Sequence, residues 1–197
     1  MDNIHSHCLG VVLAGGLSSR MGQDKAQLMH KNTDMLSFSK QLLLDSGINQ
    51  VVVSGNQHQV TDLFDNAGPV GGIYSVIERY QPKALLILPI DLPLMTSNAL
   101  MQLRLKGELS DKACFFEDHP IPLYLPNNGY LALFLAQVFA HDQPQNLAKA
   151  RSVKSGPSVN SLIKQVPHLK LRLDTPKILL NTNTPEQWRQ ATLMGLR

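Results

Sequence analysis

Short apolar runs in the first half of the chain predict three buried strands of a parallel sheet. The runs cover residues 9–13, 48–54 and 84–88, and each is rich in leucine or β-branched residues. Between the first two runs, apolar residues within 35–44 recur at mostly helical spacing, and the pattern stops at Gly47. Strand, loop, helix and strand in this order predict a β-α-β unit.

The second half of the chain is predicted to continue the alternation of helices and strands. The predicted elements are helices over residues 97–109 and 130–140 and strands over 113–116 and 121–125. Thr96 or Ser97 is expected to cap the first of these helices, and residues 117–120 to form a turn. Thr184 and Gln187 predict the capping box of a last helix. We therefore predict an α/β fold: a single three-layer α/β/α domain with a Rossmann-like, mostly parallel sheet.

The composition is that of a soluble globular domain. The chain has 197 residues, of which 43% are hydrophobic and 17% charged. It contains no run of about 18 apolar residues, and its N-terminus has no leader pattern, so a cytoplasmic protein without a membrane anchor is expected. The formal charge of +3 is small and the cations are mostly scattered, which argues against nucleic acid as a partner and fits an anionic small molecule.

The loop after the first strand is the strongest candidate for a ligand site. Gly15 and Gly16 let the backbone approach a ligand, and the serines that follow offer donors to an anion. Arg20 and Lys25 add two cations, the usual means of neutralising a polyphosphate. The spacing is neither G-x-x-x-x-G-K-[ST] nor G-x-G-x-x-G. The loop predicts a nucleoside triphosphate site, with a tight turn without ligand as the competing interpretation.

Asp91 is the candidate metal ligand. It follows the third predicted strand and is bracketed by Pro89 and Pro93, which stiffen its presentation. A carboxylate at the carboxyl end of a buried strand is well placed to hold a hard divalent cation, and Mg²⁺ takes only one or two carboxylates besides substrate phosphates. We predict that Asp91 binds Mg²⁺. A helix cap or a plain turn residue is the alternative.

Two further segments are candidates to contact the nucleotide. Ser54 and Asn56 follow the second strand, beside the first loop, where small and amide side chains reach a base or a ribose. The alternative for Asn56 is a helix cap. In the segment 68–72, GPVGG, a proline fixes φ and the glycines permit close backbone approach before a helix begins. A plain loop-to-helix turn is the alternative there.

The sequence of residues 13–25, LAGGLSSRMGQDK, resembles the signature loop of the MobA-like nucleotidyltransferases. Within that family the resemblance is strongest to the molybdenum cofactor guanylyltransferases. It extends to the G-P-x-x-G turn at 68–72, the P-x-D-x-P metal site at 89–93 and the N-x-N-T-P-E motif at 181–186.

Motif and resemblance together assign the site residues. Those assigned to the nucleotide are Leu13, Ala14, Gly15, Gly16, Lys25, Ser54, Asn56, Asp65, Gly68 and Asp91, and those assigned to the acceptor are His119, Asn181 and Asn183. Ser54 stands where the family often has asparagine. Asp65 is assigned because the family carries an aspartate shortly before the G-P-x-x-G turn. On the acceptor side, Arg151 or Lys154 would have to replace a family arginine, whose place is held by Pro157, and a solvated basic segment without this role is the favoured alternative.

The resemblance implies transfer of GMP from GTP to the terminal phosphate of Mo-molybdopterin, with release of pyrophosphate and Mg²⁺ as cofactor. Lys25 would stabilise charge on the α-phosphate, Arg20 would hold the departing pyrophosphate, and Asp91 would hold the metal. Such transfers depend on positioning and charge neutralisation, so no nucleophilic side chain is required. The one domain, 1–197, would comprise a nucleotide-binding half, about 9–93, and an acceptor half, about 94–197.

Two alternatives stay open at this point. One is a cytidylyltransferase on the same cofactor or another nucleotidylyltransferase of small molecules. The other is a degenerate, non-catalytic nucleotide- or cofactor-binding protein, suggested by the short segment 58–68. The resemblance also implies molybdoenzyme chaperones or other cofactor-synthesis proteins as partners.

Overall fold

A computed structural model describes residues 8–15, 28–30, 33–55, 58–139 and 156–195 of the chain. The strands in this part of the chain are β1 (Leu9–Leu13), β2 (Met29–His30), β3 (Thr33–Asp34), β4 (Val51–Ser54), β5 (Ala84–Pro89), β6 (Ala113–Phe116), β7 (His119–Pro126) and β8 (His168–Leu171). The helices are α1 (Met35–Asp45), α2 (Gly68–Tyr80), α3 (Ser97–Ser110), α4 (Gly129–Phe139), α5 (Val159–Ile163) and α6 (Pro185–Gly195), with a 3₁₀ turn at Pro176–Leu179.

Six strands form one sheet in the order β4-β1-β5-β7-β6-β8. β1 pairs in parallel with both β4 and β5, and β6 pairs in parallel with β8. β7 runs antiparallel to its neighbours β5 and β6, so five strands point one way and one strand points the other. The predicted mostly parallel sheet is confirmed. β2 and β3 pair antiparallel in a separate two-stranded sheet.

Helices cover both faces of the sheet because its side chains are apolar on both sides. α1 and α3 pack on one face through residues such as Leu43 and Leu103. α2, α4 and α5 pack on the other through residues such as Ile73, Leu131 and Leu162. This arrangement is the predicted three-layer α/β/α architecture. None of the helices in the described part of the chain has the length and apolar character of a transmembrane span.

Local sequence signals set several helix ends where the sequence predicts them. Thr96 caps α3, its hydroxyl accepting a backbone hydrogen bond of 3.3 Å. α1 ends at Ser46, and Gly47 follows with a φ of +87°. At the start of α6, the Gln187 side chain accepts from the N–H of Thr184, and the Thr184 hydroxyl accepts from the N–H of Gln187. The predicted capping box is therefore present.

The structure departs from the predicted boundaries in the second half of the chain. β7 begins at His119, so the turn before it is shorter than predicted and contains only residues 117 and 118. α4 matches the predicted helix, whose last position, residue 140, lies outside the described residues. The sequence does not predict β8 and α5. β8 is an edge strand whose side chains are exposed or half-buried, and its pairing with β6 defines it.

The connections after β1 and β4 leave the sheet on opposite faces. α1, which follows β1, packs on one face, and α2, which follows β4, packs on the other. A crevice therefore opens between the carboxyl ends of these neighbouring strands. In open α/β sheets such a switch point is where ligands bind.

Candidate active site

The loop after β1 begins in the crevice between β1 and β4. The N–H of Ala14 donates to the carbonyl of Ser54 at 2.9 Å, which continues the parallel pairing of the two strands. Gly15 is exposed at the mouth of the crevice, and a Cβ placed on it would lie 3.8 Å from Asp62 Oδ2. The described part of the predicted nucleotide loop, residues 13–15, therefore borders the switch point.

Asp62 lies across the crevice from this loop. Its Oδ1 accepts a long hydrogen bond of 3.5 Å from the hydroxyl of Ser54, a residue that is only 2% exposed. A Cβ placed on Gly72 of α2 would lie 2.7 Å from that hydroxyl and 3.4 Å from Asp62 Oδ1. Only glycine leaves room for both groups, so Ser54, Asp62 and Gly72 form one packed corner of the crevice.

The carboxyl of Asp62 is electrostatically perturbed. Burial raises its pKa above the ordinary value of 3.8, and the nearby charge of Asp65 raises the pKa further. The hydrogen bond from Ser54 acts in the opposite direction without reversing the shift. A carboxyl group whose charged form is disfavoured, and which faces a crevice, is a candidate for binding the donor groups of a ligand.

The start of α2 lies at the same edge of the sheet. Gly68 opens the helix with a φ of +64°, a conformation that suits glycine, and it is exposed. The preceding residue, Ala67, has no polar side chain to cap the helix. The helix therefore presents its first backbone N–H groups and the positive end of its dipole beside the crevice.

Asp91 lies in the turn that follows β5 and is half-buried. The N–H of the preceding residue, Ile90, donates to the carbonyl of Leu13 at 3.2 Å. This hydrogen bond holds the turn against the end of β1. The glycine loop and Asp91, far apart in sequence, thus leave neighbouring parallel strands at one edge of the sheet.

The segment before α6 is bonded to Asp91 through main chain and side chain. The N–H and the hydroxyl of Thr182, which is 1% exposed, donate to the carbonyl of Asp91 at 3.0 and 3.2 Å. Asn181, with its amide oriented to satisfy both groups, donates to Asp91 Oδ1 at 2.7 Å and to Oδ2 at 3.3 Å. These contacts fix both the backbone and the carboxylate of Asp91. The Asp91 carboxylate, oriented by the Asn181 amide, is a hard oxygen ligand of the kind that suits Mg²⁺.

The other residues predicted to bind the acceptor lie nearby. β7 runs antiparallel to β5, so its first residue, His119, lies at the edge where β5 ends. Asn183 is half-buried two residues after Asn181, and its N–H donates to the side chain of Gln187 at 2.7 Å, as part of the α6 cap. The structure thus places His119, Asn181 and Asn183 on the side of the crevice that carries Asp91.

The remaining predicted residues lie outside the described part of the chain; they are Gly16, Arg20, Lys25, Asn56, Arg151 and Lys154. Their assigned roles rest on the sequence.

Comparison with known families decides what kind of protein carries this site. The family profile of the MobA-like NTP transferase domain matches residues 10–151. The chain belongs to the MobA-like NTP transferase family. A molybdenum cofactor guanylyltransferase from Xanthomonas euvesicatoria pv. vesicatoria is 34% identical over 183 residues, which cover 91% of this chain and 91% of that protein. The resemblance detected in the sequence motifs is confirmed.

Solved structures show the same MobA-like fold. The molybdopterin-guanine dinucleotide biosynthesis protein A of Archaeoglobus fulgidus superposes with a TM-score of 0.69 at 17% identity, over 94% of this chain and 97% of its own. A Mycobacterium tuberculosis protein in complex with manganese gives a TM-score of 0.60 at 18% identity, over 95% and 98% of the two chains. At these identities the likeness establishes the fold.

The sequence predicts Asp65 as the nucleotide-binding carboxylate of this MobA-like domain and does not indicate Asp62. The structure leaves Asp65 exposed, whereas Asp62 packs against Ser54 and lines the crevice. Nothing in the local sequence distinguishes Asp62 from Asp65. Val60 is buried and bridges Ser54, which brings this segment beside the carboxyl end of β4.

Proposed function

We propose that this nucleotidyltransferase transfers GMP from GTP to the terminal phosphate of Mo-molybdopterin, producing the guanine dinucleotide form of the cofactor and pyrophosphate. The observation that carries the proposal is the convergence of residues 13–15, Asp62 and Asp91 at the carboxyl ends of β4, β1 and β5. The guanylyltransferase name of the 34% identical relative, which aligns over almost the whole chain, supports the choice of reaction.

The nucleotide would bind in the crevice between β1 and β4. The backbone of Leu13, Ala14 and Gly15 would contact it, and the open start of α2 at Gly68 would offer further N–H donors. A carboxylate repels phosphate oxygens, so Asp62 must meet donor groups of the nucleotide. Guanine presents two adjacent donors, N1–H and the 2-amino group, and the ribose presents hydroxyls. We propose Asp62, in place of the predicted Asp65, as the carboxylate that accepts from these groups.

The divalent cation would be held by Asp91, with Asn181 beside it. We propose Mg²⁺, because the Asp91 carboxylate supplies a hard oxygen ligand of the kind that it prefers and the Asn181 amide orients that carboxylate. When bound there, the metal would supply neutralisation of the phosphate charge that grows during transfer. The hydrogen bonds from Asn181 and Thr182 hold Asp91 ready for this role.

The acceptor would approach from the half of the domain after residue 94, where we propose that His119, Asn181 and Asn183 contact it. A terminal phosphate oxygen of the acceptor forms a bond to the α-phosphorus of GTP, and the bond to pyrophosphate breaks. Lys25 and Arg20, placed by motif alone, would stabilise charge on the α-phosphate and on the departing pyrophosphate. Catalysis then needs positioning and charge neutralisation, without a covalent enzyme intermediate.

Incubation with α-labelled GTP, Mo-molybdopterin and Mg²⁺ tests the proposal. We expect a labelled dinucleotide and an equal amount of pyrophosphate, with CTP at the same concentration used at least about tenfold more slowly, because a hydrogen-bonded base site rejects the wrong base. Faster transfer from CTP would make the chain a cytidylyltransferase. Nucleotide binding without release of pyrophosphate would make it a non-catalytic binding protein.

Replacing Asn181 by alanine is expected to raise the Mg²⁺ concentration for half-maximal activity by about tenfold or more, since side chains that orient metal ligands commonly contribute this much to metal affinity. The measurement is a magnesium titration of the initial rate at saturating substrates. Asn183→Ala is the matched comparison, because it alters the neighbouring amide two residues away. We expect it to raise the KM for the acceptor and to leave the magnesium titration unchanged. Identical titrations for the wild type and Asn181→Ala would remove Asn181 from the metal site.

A further inference from the structure

Asp62 lies in the irregular segment between Val60, which bridges Ser54, and the start of α2 at Gly68. No helix and none of the named strands in the described part of the chain includes Asp62. Its position therefore depends on individual contacts between this segment and its surroundings. One such contact reaches the residue directly after Asp62: the N–H of Leu63 donates to the hydroxyl of Ser75 at 2.9 Å.

Ser75 is a buried polar residue of α2, only 2% exposed. Its hydroxyl donates to the carbonyl of Gly71, one helical turn back, at 2.8 Å, and accepts from the N–H of Leu63. The two partners fix these roles, since a carbonyl can only accept and an N–H can only donate. The hydroxyl therefore donates its single proton within α2, and one of its lone pairs accepts from the segment that contains Asp62.

We propose that Ser75 is a positioning residue for nucleotide binding, which acts by holding Asp62 in the crevice. The proposal rests on the nucleotide-binding role proposed for Asp62. One hydroxyl ties together two parts of the crevice wall. Gly71, which accepts from it, precedes Gly72, whose missing side chain makes room for Asp62 Oδ1. Leu63, which donates to it, follows Asp62 in the chain.

Other contacts hold the segment on either side of Asp62. The Arg79 guanidinium donates to the carbonyl of Gln59 at 2.8 Å. The ring of Phe64 stacks on that of Phe139, with 4.9 Å between the centroids. Both contacts survive the loss of the Ser75 hydroxyl. Removing it is therefore expected to loosen Asp62 locally, so that the binding-competent arrangement is populated for only part of the time, without unfolding the domain.

The test is equilibrium binding of GTP to the full-length Ser75→Ala protein. We expect the dissociation constant to rise about tenfold, the effect of losing one buried hydrogen bond that orders the site. At saturating GTP, kcat should stay within about twofold of the wild type, because the substitution weakens GTP binding and leaves the transfer step unchanged. If Ser75 had only a structural role, Ser75→Ala would lower the melting temperature without raising the GTP dissociation constant.

Ser46→Ala is the matched control. Ser46 is also fully buried, and its hydroxyl also donates to a backbone carbonyl, that of Leu43 at 2.7 Å. It lies at the end of α1, at the opposite edge of the sheet from the crevice. We expect Ser46→Ala to lower the melting temperature and to leave the GTP dissociation constant unchanged. An equal loss of affinity in both serine variants would overturn the proposal.

A double-mutant cycle with Asp62→Asn decides whether Ser75 acts through Asp62. If it does, Ser75→Ala weakens GTP binding in the wild type and has no further effect once Asp62 is replaced. Equal effects of Ser75→Ala in both backgrounds would overturn the proposal. So would weaker binding in Asp62→Asn combined with unchanged binding in Ser75→Ala, a result that leaves the proposed function standing.

Failure of the proposed function gives a different pattern. If the protein binds CTP rather than GTP, the same cycle run with CTP still tests Ser75, and coupling to Asp62 there supports the positioning role while refuting guanylyl transfer. If Asp62→Asn binds every nucleotide as well as the wild type does, Ser75 has nothing to position and the inference is wrong. If the wild type binds neither GTP nor CTP, both proposals are refuted.

Discussion

We expect replacement of Asp91 by alanine to lower the rate of guanylyl transfer at saturating GTP and Mg²⁺ by about 10²–10³-fold, the usual effect of losing one preorganised charge contact. The carboxylate lies at the carboxyl end of β5 and accepts hydrogen bonds from Asn181, while Thr182 donates to the backbone carbonyl of Asp91. Alanine keeps the backbone bonds from Thr182 but removes the proposed metal ligand. Added magnesium should not restore the rate. The measurement is initial pyrophosphate release as a function of Mg²⁺ concentration.

Asp45→Ala is the control for this variant. Asp45 is an exposed carboxylate at the end of α1, at the opposite edge of the sheet, where it accepts from the side chain of Gln41 at 2.7 Å. Its removal changes the net charge of the protein by the same amount and should leave the rate unchanged. Turnover by Asp91→Ala at the wild-type rate would show that the metal is held elsewhere.

The elements that the sequence predicts well are those with strong local signals. β1 and β5 are uninterrupted apolar runs. Glycines follow β1 after Ala14, and β5 ends at Pro89. Both strands are buried on both faces of the sheet, which is typical of central parallel strands. α3 starts at a threonine cap, and α1 ends just before a glycine with positive φ. In each case the signal lies within a few residues of the feature that it predicts.

The features that the sequence does not predict depend on contacts between distant segments. β8 alternates exposed and half-buried side chains and exists as a strand through its pairing with β6. The hydrogen bond between Asn181 and Asp91 joins segments 90 residues apart in the chain, and neither segment alone indicates it. Asp62 and Asp65 are chemically equivalent in sequence. Contacts of the folded chain, such as the bridge between Val60 and Ser54 and the hydrogen bond from Leu63 to Ser75, orient the segment so that Asp62 lines the crevice.

Asp62→Asn is expected to change the GTP affinity and the stability of the fold in opposite directions. We expect the GTP dissociation constant to rise about 10–100-fold, because a neutral amide cannot replace the charge-assisted hydrogen bonds that a carboxylate accepts from donor groups. The stability should change in the opposite direction. Burial raises the pKa of Asp62, so the folded state holds this proton more tightly than the unfolded chain does. Ionisation of Asp62 therefore lowers the free energy of unfolding as the pH rises from 3.8 through the raised pKa.

At pH 7.5 the ionised form of Asp62 is destabilising, and asparagine removes that charge, so the variant should melt at a higher temperature than the wild type. The difference should shrink as the pH approaches 3.8, where the wild-type carboxyl becomes neutral as well. Thermal melts at several pH values, together with GTP titrations, measure both effects. Asp65→Asn is the control, since it makes the same substitution at the exposed carboxylate three residues away.

Asp65→Asn should leave both GTP affinity and melting temperature close to the wild type. Loss of affinity in Asp65→Asn with none in Asp62→Asn would return the role to the residue that the sequence predicts. Loss of both affinity and stability in Asp62→Asn would make Asp62 a structural residue whose removal damages the crevice. A variant that binds GTP more weakly and yet unfolds at a higher temperature has only one physical reading: the charge of Asp62 is retained for its ligand, at some expense to the fold.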